Sequence, residues 1–128
     1  MAEAPRVLLV DDQPANLDVL CKVLEADGYR VLLAPSGEVA LKTAARAQPD
    51  LILLDVMMPG MDGYEVCRHL KADENTQHIP VIFITARDLH EEVVQGFAIG
   101  AVDYITKPFR EREVLVRART HVQLNRLH

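Results

Sequence analysis

Five polar residues could do chemistry together, because each follows a short apolar run. Asp11 and Asp12 follow the first run, Asp55 the third and Thr85 the fourth, while Lys107 lies two residues beyond the fifth. If these runs are parallel strands, their carboxyl ends share one edge of the sheet, which is where open α/β folds bind ligands. We therefore predict that three carboxylates, a hydroxyl and an ammonium group meet there.

These groups favour a divalent cation and phosphoryl chemistry. Three carboxylates in one cleft repel one another, and a divalent cation together with Lys107 would balance their charge. Ligands that are all oxygen suit Mg²⁺, which keeps several waters, and do not suit zinc. Phosphoryl transfer needs a nucleophile and positive charge near the phosphoryl oxygens. A carboxylate such as Asp55 can be that nucleophile.

The elements that must position these groups alternate between strand and helix. Alternation predicts right-handed βαβ units and a parallel sheet with helices on both faces, so that the strands are buried on both sides. The predicted strands are Val7–Val10, Tyr29–Ala34, Leu51–Leu54, Val81–Ile84 and Ala101–Ile105. Helical spacing occurs at Leu17–Leu24, Ala40–Ala45, Gly63–Leu70 and Val93–Ala98.

Several helix starts can be predicted from local signals. An acid at the N-cap with Glu three residues later resembles a capping box, Ser is a good N-cap and Pro suits the first turn. These signals are Asp62 with Glu65, Asp88 with Glu91, Ser36 and Pro14. Pro59 and Gly60 fit a type II turn between the third strand and the Asp62 cap.

Composition narrows the classes of protein. The chain has 128 residues and a net charge of -5, which argues against a nucleic-acid binder. It contains neither an apolar run of about 18 residues nor a signal-peptide pattern, so we expect no membrane association and a cytoplasmic location. Cys21 and Cys67 are interpreted as small buried hydrophobes. The five histidines lack ligand spacing and are interpreted as solvated positions.

Four segments resemble the receiver domain of bacterial two-component response regulators: VLLVDD, LILLDVMMPGMDGYE, VIFITA and DYITKPF. The resemblance covers residues 5–120, and we expect one receiver domain over residues 1–128. It implies a flavodoxin-like α/β fold, with a five-stranded parallel sheet of order 2-1-3-4-5 and five helices on its two faces.

The resemblance also implies roles for individual residues. Asp55 would be the phosphoacceptor, while Thr85 and Lys107 would bind the phosphoryl oxygens. The implied Mg²⁺ ligands are Asp11, Asp12, Asp55 and the backbone carbonyl of Met57. The Lys107–Pro108 peptide bond would be cis.

The resemblance further implies a switch. Thr85 would move toward the phosphoryl group, and Tyr104 would fill the space that it leaves; alternatively, Tyr104 is only a half-buried strand residue. The face changed would be the fourth helix, the fifth strand and the last helix. Met57 and Arg87 match positions that tune dephosphorylation, and apolar Met57 predicts slow autodephosphorylation because it cannot orient water.

The implied partners are a sensor histidine kinase or phosphotransfer protein, and an output domain in cis or a separate partner protein. Such a domain is not an ordinary enzyme, although it catalyses its own phosphorylation from a phosphohistidine and slowly hydrolyses the product.

The last helix is predicted at residues 109–127. Val114, Leu115, Ala118 and Val122 form one apolar face, which should pack on the domain. Val116, Thr120, Leu124 and Leu127 form a second stripe, which predicts contact with an output domain or a dimer partner. The alternative is a free terminus of a stand-alone regulator. Glu113 and Arg117 have the i, i+4 spacing of an ion pair.

Three other functions fit the sequence less well. A phosphatase of the haloacid dehalogenase type would need a second acid two residues after the nucleophile, where Met57 stands instead. A nucleotide-binding domain would need GxGxxG or GxxxxGK[ST], and neither occurs. A phosphorylation-independent docking or dimerisation module would be expected to lack an acid, the Thr or the Lys of the site, and none is missing.

Overall fold

The computed structural model describes residues 4–86 and 98–126. Five strands and four helices occur in this part of the chain. In chain order they are β1 Arg6–Val10, α1 Pro14–Ala26, β2 Arg30–Ala34, α2 Gly37–Ala47, β3 Leu51–Asp55, α3 Gly63–Ala72, β4 Val81–Thr85, β5 Asp103–Thr106 and α4 Glu111–Arg126. The predicted helix near Val93–Ala98, with its capping pair Asp88 and Glu91, falls almost wholly outside the described residues.

All five strands pair in parallel in one sheet. Their order is β2-β1-β3-β4-β5, as the resemblance implies. Because each strand places alternate side chains on opposite faces, the sheet carries two apolar layers. Leu9, Leu53 and Ile82 pack with α1 and α4, while Leu8 and Ile52 belong to the layer covered by α2 and α3. The predicted doubly wound architecture is therefore confirmed.

Burial on both faces holds for the central strands but not for the edge. Every residue of β3 and β4 is buried. In β2, Arg30 and Leu33 are exposed and only Ala34 is buried. The prediction of complete burial was wrong for β2, because an edge strand has a neighbour on one side only and its helices do not cover it fully.

Three of the predicted helix starts, at Asp62, Ser36 and Pro14, agree with the structure. Asp62 Oδ1 accepts the N–H of Glu65 at 2.9 Å, and Ser36 Oγ accepts the N–H of Val39 at 3.3 Å. Pro14 is the first residue of α1. These caps satisfy N–H groups that helix ends leave without partners, and they fix where the chain enters each helix after a strand.

The last helix is shorter than predicted and is bound to the domain by polar contacts. It begins at Glu111, two residues later than expected, and Leu127 lies outside the described residues. Val114, Ala118 and Val122 are buried, as predicted, and Leu115 of the same predicted face is partly buried. On the opposite face, Val116 and Leu124 are exposed large hydrophobic residues.

Two side-chain predictions for this helix were wrong. Arg117 donates to Asp103 Oδ1 at 2.6 Å, and no ion pair between Arg117 and Glu113 occurs in the part of the chain that the structure describes. The side chain of His121 is only 15% exposed, and its Nε2 lies 3.0 Å from Asp103 Oδ2. Both residues therefore join α4 to the start of β5. Within the described residues, no helix is long and apolar enough to cross a membrane.

Candidate functional site

Strand register brings the predicted acids together. Val10 of β1 pairs with Leu54 of β3, so Asp11 and Asp55 each follow one member of the same pair. Ligand oxygens of Asp11, Asp12 and Asp55 all lie within 4.8 Å of one another. The carboxyl ends of two neighbouring strands thus form one three-carboxylate cluster, which we call the acid cluster.

The acid cluster lies at the carboxyl edge of the sheet and is largely buried. Asp11 is 2% exposed and Asp55 is 4% exposed, while Asp12 is partly buried. Asp55 is the last residue of the central strand β3, and the N–H of the following residue, Val56, donates to Ile84 on β4 at 3.1 Å. The main chain on both sides of the Asp55 carboxylate is therefore fixed by the sheet.

Lys107 brings a positive charge to the acid cluster. Its Nζ lies 3.4 Å from Asp11 Oδ2 and 3.3 Å from Asp55 Oδ1. Its backbone N–H donates to the Thr85 carbonyl at 2.8 Å, so the chain after β5 stays aligned with the end of β4. The Lys107–Pro108 peptide bond is cis, as predicted.

The pKa of Asp55 lies above the ordinary carboxyl value. Burial raises the pKa of its carboxyl group, and the negative charge of Asp11 raises it further. Lys107 and the backbone N–H of Met57 act in the opposite direction without cancelling the rise. Another positive charge at the cluster would lower the pKa of Asp55 and favour the ionised, nucleophilic form.

The donor set of the acid cluster suits Mg²⁺. It offers carboxylate oxygens only, and Mg²⁺ prefers oxygen ligands and takes one or two carboxylates, with waters completing its shell. The partial exposure of Asp12 gives those waters access. Met57, whose carbonyl was the fourth predicted ligand, follows Asp55 by two residues, and its side chain is exposed.

Thr85 and Tyr104 lie on neighbouring strands. Thr85 ends β4, is 5% exposed and pairs in register with Thr106 of β5. Tyr104 pairs with Phe83, two residues earlier on each strand, and packs partly buried against the core layer that includes Phe83. The two candidate switch residues therefore lie on neighbouring strands, two register positions apart.

The start of α3 packs closely against the backbone at the end of β3. Gly60 has a φ of +74°, as the predicted type II turn requires. At Gly63, the first residue of α3, an added Cβ would meet the backbone of Asp55 and the Cα of Val56. Gly63 also donates its N–H to the Val56 carbonyl at 3.0 Å. The absence of a side chain lets α3 begin directly against the main chain of Asp55.

Sequence reasoning missed two residues that hold Asp11. The backbone N–H of Gln13 donates to Asp11 Oδ1 at 2.9 Å, and Asn16 Nδ2 lies 3.2 Å from Asp11 Oδ2. A sequence signal for Asn16 was available. Its amide lies in the first turn of a helix that begins three residues after Asp11, and the first turn of such a helix lies next to the end of the preceding strand.

Comparison with known proteins agrees with this geometry. A model of the response regulator receiver domain family matches residues 7–119. Over 115 residues the chain is 50% identical to the response regulator PleD of Caulobacter vibrioides, covering 90% of this chain and 25% of that protein. It is 46% identical to the DNA-binding dual master transcriptional regulator RpaA of Synechocystis, covering 90% of this chain and 48% of that protein. The chain thus spans between a quarter and a half of the length of these relatives.

A solved structure is similar over nearly the whole chain. The receiver domain of the sensor histidine kinase PA1611 from Pseudomonas aeruginosa has a TM-score of 0.87 and 34% identity, and the match covers 94% of this chain and 98% of that one. In that protein a magnesium ion is coordinated in the active site cleft.

Proposed function

The chain belongs to the response regulator receiver domain family, and on that premise we propose that it is a phosphorylation-controlled switch whose phosphoacceptor is Asp55. One observation carries the proposal: the buried Asp55 carboxylate ends the central strand, 3.3 Å from the Lys107 ammonium and within reach of two further acids. A carboxylate that would act as nucleophile, a positive charge and two further acids that would hold a cation lie at one place, which supports the proposal.

The proposed reaction takes a phosphoryl group from a phosphohistidine of a sensor histidine kinase or phosphotransfer protein. A carboxylate oxygen of Asp55 attacks phosphorus in line with the phosphorus–nitrogen bond. A phosphorus–oxygen bond forms, and the imidazole leaves with the electron pair of the broken bond. Lys107 and the Thr85 hydroxyl then bind oxygens of the transferred group.

Mg²⁺ is the proposed cofactor, held by Asp11, Asp12, Asp55 and the backbone carbonyl of Met57. When bound, it supplies positive charge that offsets the repulsion between the acids and the incoming phosphoryl oxygens. Support comes from the all-oxygen donor set and from the magnesium-containing relative. Asp11 is oriented by its own hydrogen bonds, and Asp55 is oriented by β3.

The proposed switch couples Thr85 to Tyr104. Thr85 moves toward the phosphoryl oxygens, and Tyr104 turns into the space that is freed. Two packings that differ by a few kcal/mol suffice for such a switch, because the new hydrogen bonds select one of them. The face that changes comprises the predicted helix near Val93–Ala98, β5 and α4.

The proposed output runs through the last helix. α4 is bound to separate parts of the domain by Arg117 to Asp103 and by Arg119 to Asp27, at 2.6 and 2.7 Å. Its outer face carries the exposed hydrophobic residues of the second stripe. A receiver domain of residues 1–128 would use this helix to reach an output domain in cis, a separate partner or a second copy. The proposed location of this domain is the cytoplasm, where histidine kinases present their phosphohistidine.

Slow loss of the phosphoryl group is also proposed. Met57 offers no hydrogen-bond donor or acceptor strong enough to orient an attacking water, and its side chain is exposed. Met57→Asn should accelerate hydrolysis, measured as the decay of the phosphorylated mass with time. A variant that loses phosphate no faster than the wild type would contradict this role. Arg87, at the other tuning position, lies outside the described residues.

The decisive experiment is intact mass after incubation with Mg²⁺ and a small acyl phosphate. We expect one added phosphoryl group that requires Mg²⁺ and is absent in Asp55→Ala. Asp18→Ala is a matched control, because Asp18 is exposed on α1 and contacts only Lys22 among the described ion pairs. If neither the acyl phosphate nor a set of phosphorylated histidine kinases modifies the wild type, the proposal fails and a docking module becomes the better interpretation.

A further inference from the structure

Asn16 is held in one orientation beside the acid cluster. Its backbone N–H donates to the Gln13 carbonyl at 3.1 Å, in the first turn of α1. Its side-chain Nδ2 lies 3.2 Å from Asp11 Oδ2 and 3.2 Å from Gln13 Oε1. A carboxylate oxygen can only accept hydrogen bonds. The amide must therefore present its nitrogen to Asp11, since the reversed amide would set its oxygen against the carboxylate.

The two oxygens of Asp11 are held mainly by neutral donors. Oδ1 accepts from the Gln13 N–H at 2.9 Å, and Oδ2 accepts from Asn16 at 3.2 Å. The Lys107 ammonium is more distant, at 3.4 Å, and is shared with Asp55 at 3.3 Å. Both distances exceed the roughly 2.7–2.9 Å of a close ammonium–carboxylate hydrogen bond. When Lys107 turns to the phosphoryl group, the two donors on α1 can therefore still hold Asp11.

We propose that Asn16 is a positioning residue, which holds the Asp11 carboxylate in place for Mg²⁺ both before phosphorylation and after Lys107 turns to the phosphoryl group. The inference rests on the proposed function, because it assigns Asp11 to the cation and Lys107 to the phosphoryl oxygens. A neutral amide suits this task. It fixes one oxygen of Asp11 without adding a positive charge that would repel the cation or a negative charge that would crowd the acids.

The expected effect is on cation affinity and not on the fold. Groups that hydrogen-bond to metal ligands change metal affinity by about 10-fold or more when they are removed. We expect Asn16→Leu, which keeps the size of the side chain and removes the donor, to weaken Mg²⁺ binding by about 10-fold. Val19→Ala is the control, because Val19 is exposed on the same helix.

The measurement is the Mg²⁺ dissociation constant by calorimetry on the unphosphorylated protein, at a temperature where circular dichroism shows every variant to be folded. If Asn16→Leu does not fold, Asn16→Ala replaces it and carries the same expectation. Weaker binding in the Asn16 variant alone supports the inference, because a purely structural role would lower the unfolding temperature and leave the dissociation constant unchanged. Binding within twofold of the wild type overturns it.

The proposed function is tested separately, by measuring the intact mass for an added phosphoryl group. A wild type that is phosphorylated on Asp55 while Asn16→Leu binds Mg²⁺ normally refutes the inference alone. A wild type that binds Mg²⁺ but takes up no phosphoryl group from any donor refutes the proposed function. A wild type that binds no Mg²⁺ refutes the role of Asn16.

Discussion

Replacing Lys107 by methionine should destabilise the folded chain, because it leaves two buried carboxylates without their counter-charge. The Nζ–oxygen distances are 3.4 Å to Asp11 and 3.3 Å to Asp55. At an effective dielectric constant of about 20, each contact is worth about 5 kcal/mol before desolvation is subtracted. Removing one partner of a buried ion pair costs about 3–5 kcal/mol. Because 22% of the Lys107 side chain is exposed, we expect a smaller loss of about 2–3 kcal/mol near neutral pH without divalent cations.

Mg²⁺ should reverse part of this loss. In the variant, the ammonium no longer repels a cation bound to the same carboxylates, so Mg²⁺ binds more tightly and stabilises the variant more than the wild type. An affinity gain of about 10-fold would recover about 1.4 kcal/mol at saturating Mg²⁺. The dependence on Mg²⁺ thus separates electrostatics in the acid cluster from a simple loss of packing.

Urea unfolding followed by far-ultraviolet circular dichroism, with and without Mg²⁺, measures both effects. Lys22→Met is the matched control, because Lys22 and Asp18 form a pair at 3.6 Å whose side chains are 76% and 71% exposed. Such a pair contributes only about 0.3–0.5 kcal/mol. Equal losses in the two methionine variants, or a Lys107→Met loss that Mg²⁺ does not reduce, would refute the reasoning.

Three further predictions concern Asp55 and the start of α3. Because burial and Asp11 raise the pKa of Asp55, its contribution to stability is largest below the ordinary carboxyl pKa and is lost as pH rises through the raised value. In metal-free urea titrations the wild type should therefore lose stability relative to Asp55→Asn as the pH rises from about 4, and a constant difference would contradict this. Asp62→Ala should lower the free energy of unfolding by about 1 kcal/mol, because the N–H of Glu65 loses its acceptor; a variant as stable as the wild type in urea would count against the cap. Gly63→Ala should cost about 2–3 kcal/mol and reduce phosphorylation measured by intact mass, since the new methyl group would displace the backbone of Asp55; normal stability would show that the chain relaxes there.

The strand ends could be predicted because their positions follow from local rules. Each strand is indicated by its own apolar run, and the acids that end the strands follow those runs directly. The caps at Asp62 and Ser36 are likewise indicated by the few residues around them. The strand order came from family resemblance, and register then made Asp11 and Asp55 neighbours. The closeness of the acids and Lys107 was therefore predicted correctly, because the carboxyl ends of parallel strands share one edge of the sheet.

The side-chain partners away from that edge could not be predicted in the same way. Arg117 and His121 both contact Asp103, which lies 14 and 18 residues away in sequence. Hydrogen bonds from both residues hold the pKa of Asp103 below its ordinary value, although burial alone would raise it. Helical spacing predicted Glu113 as the partner of Arg117. The partly buried Asp103 on β5 is the partner instead, because its hydrogen bonds are less exposed to competing water.

Asp11 and Lys107 lie 96 residues apart in sequence, which has a consequence for the chain as it is being made. Ribosomes release the acids first and the ammonium group last. Lys107 reaches the acids only after β5 has docked on β4. If the proposed function is correct, a copy in which β5 has not yet docked has the three carboxylates but lacks the Lys107 ammonium. Such a copy should not accept a phosphoryl group from a kinase. Phosphorylation of Asp55 would then occur only in copies whose strands, from β1 to β5, have been synthesised and folded together.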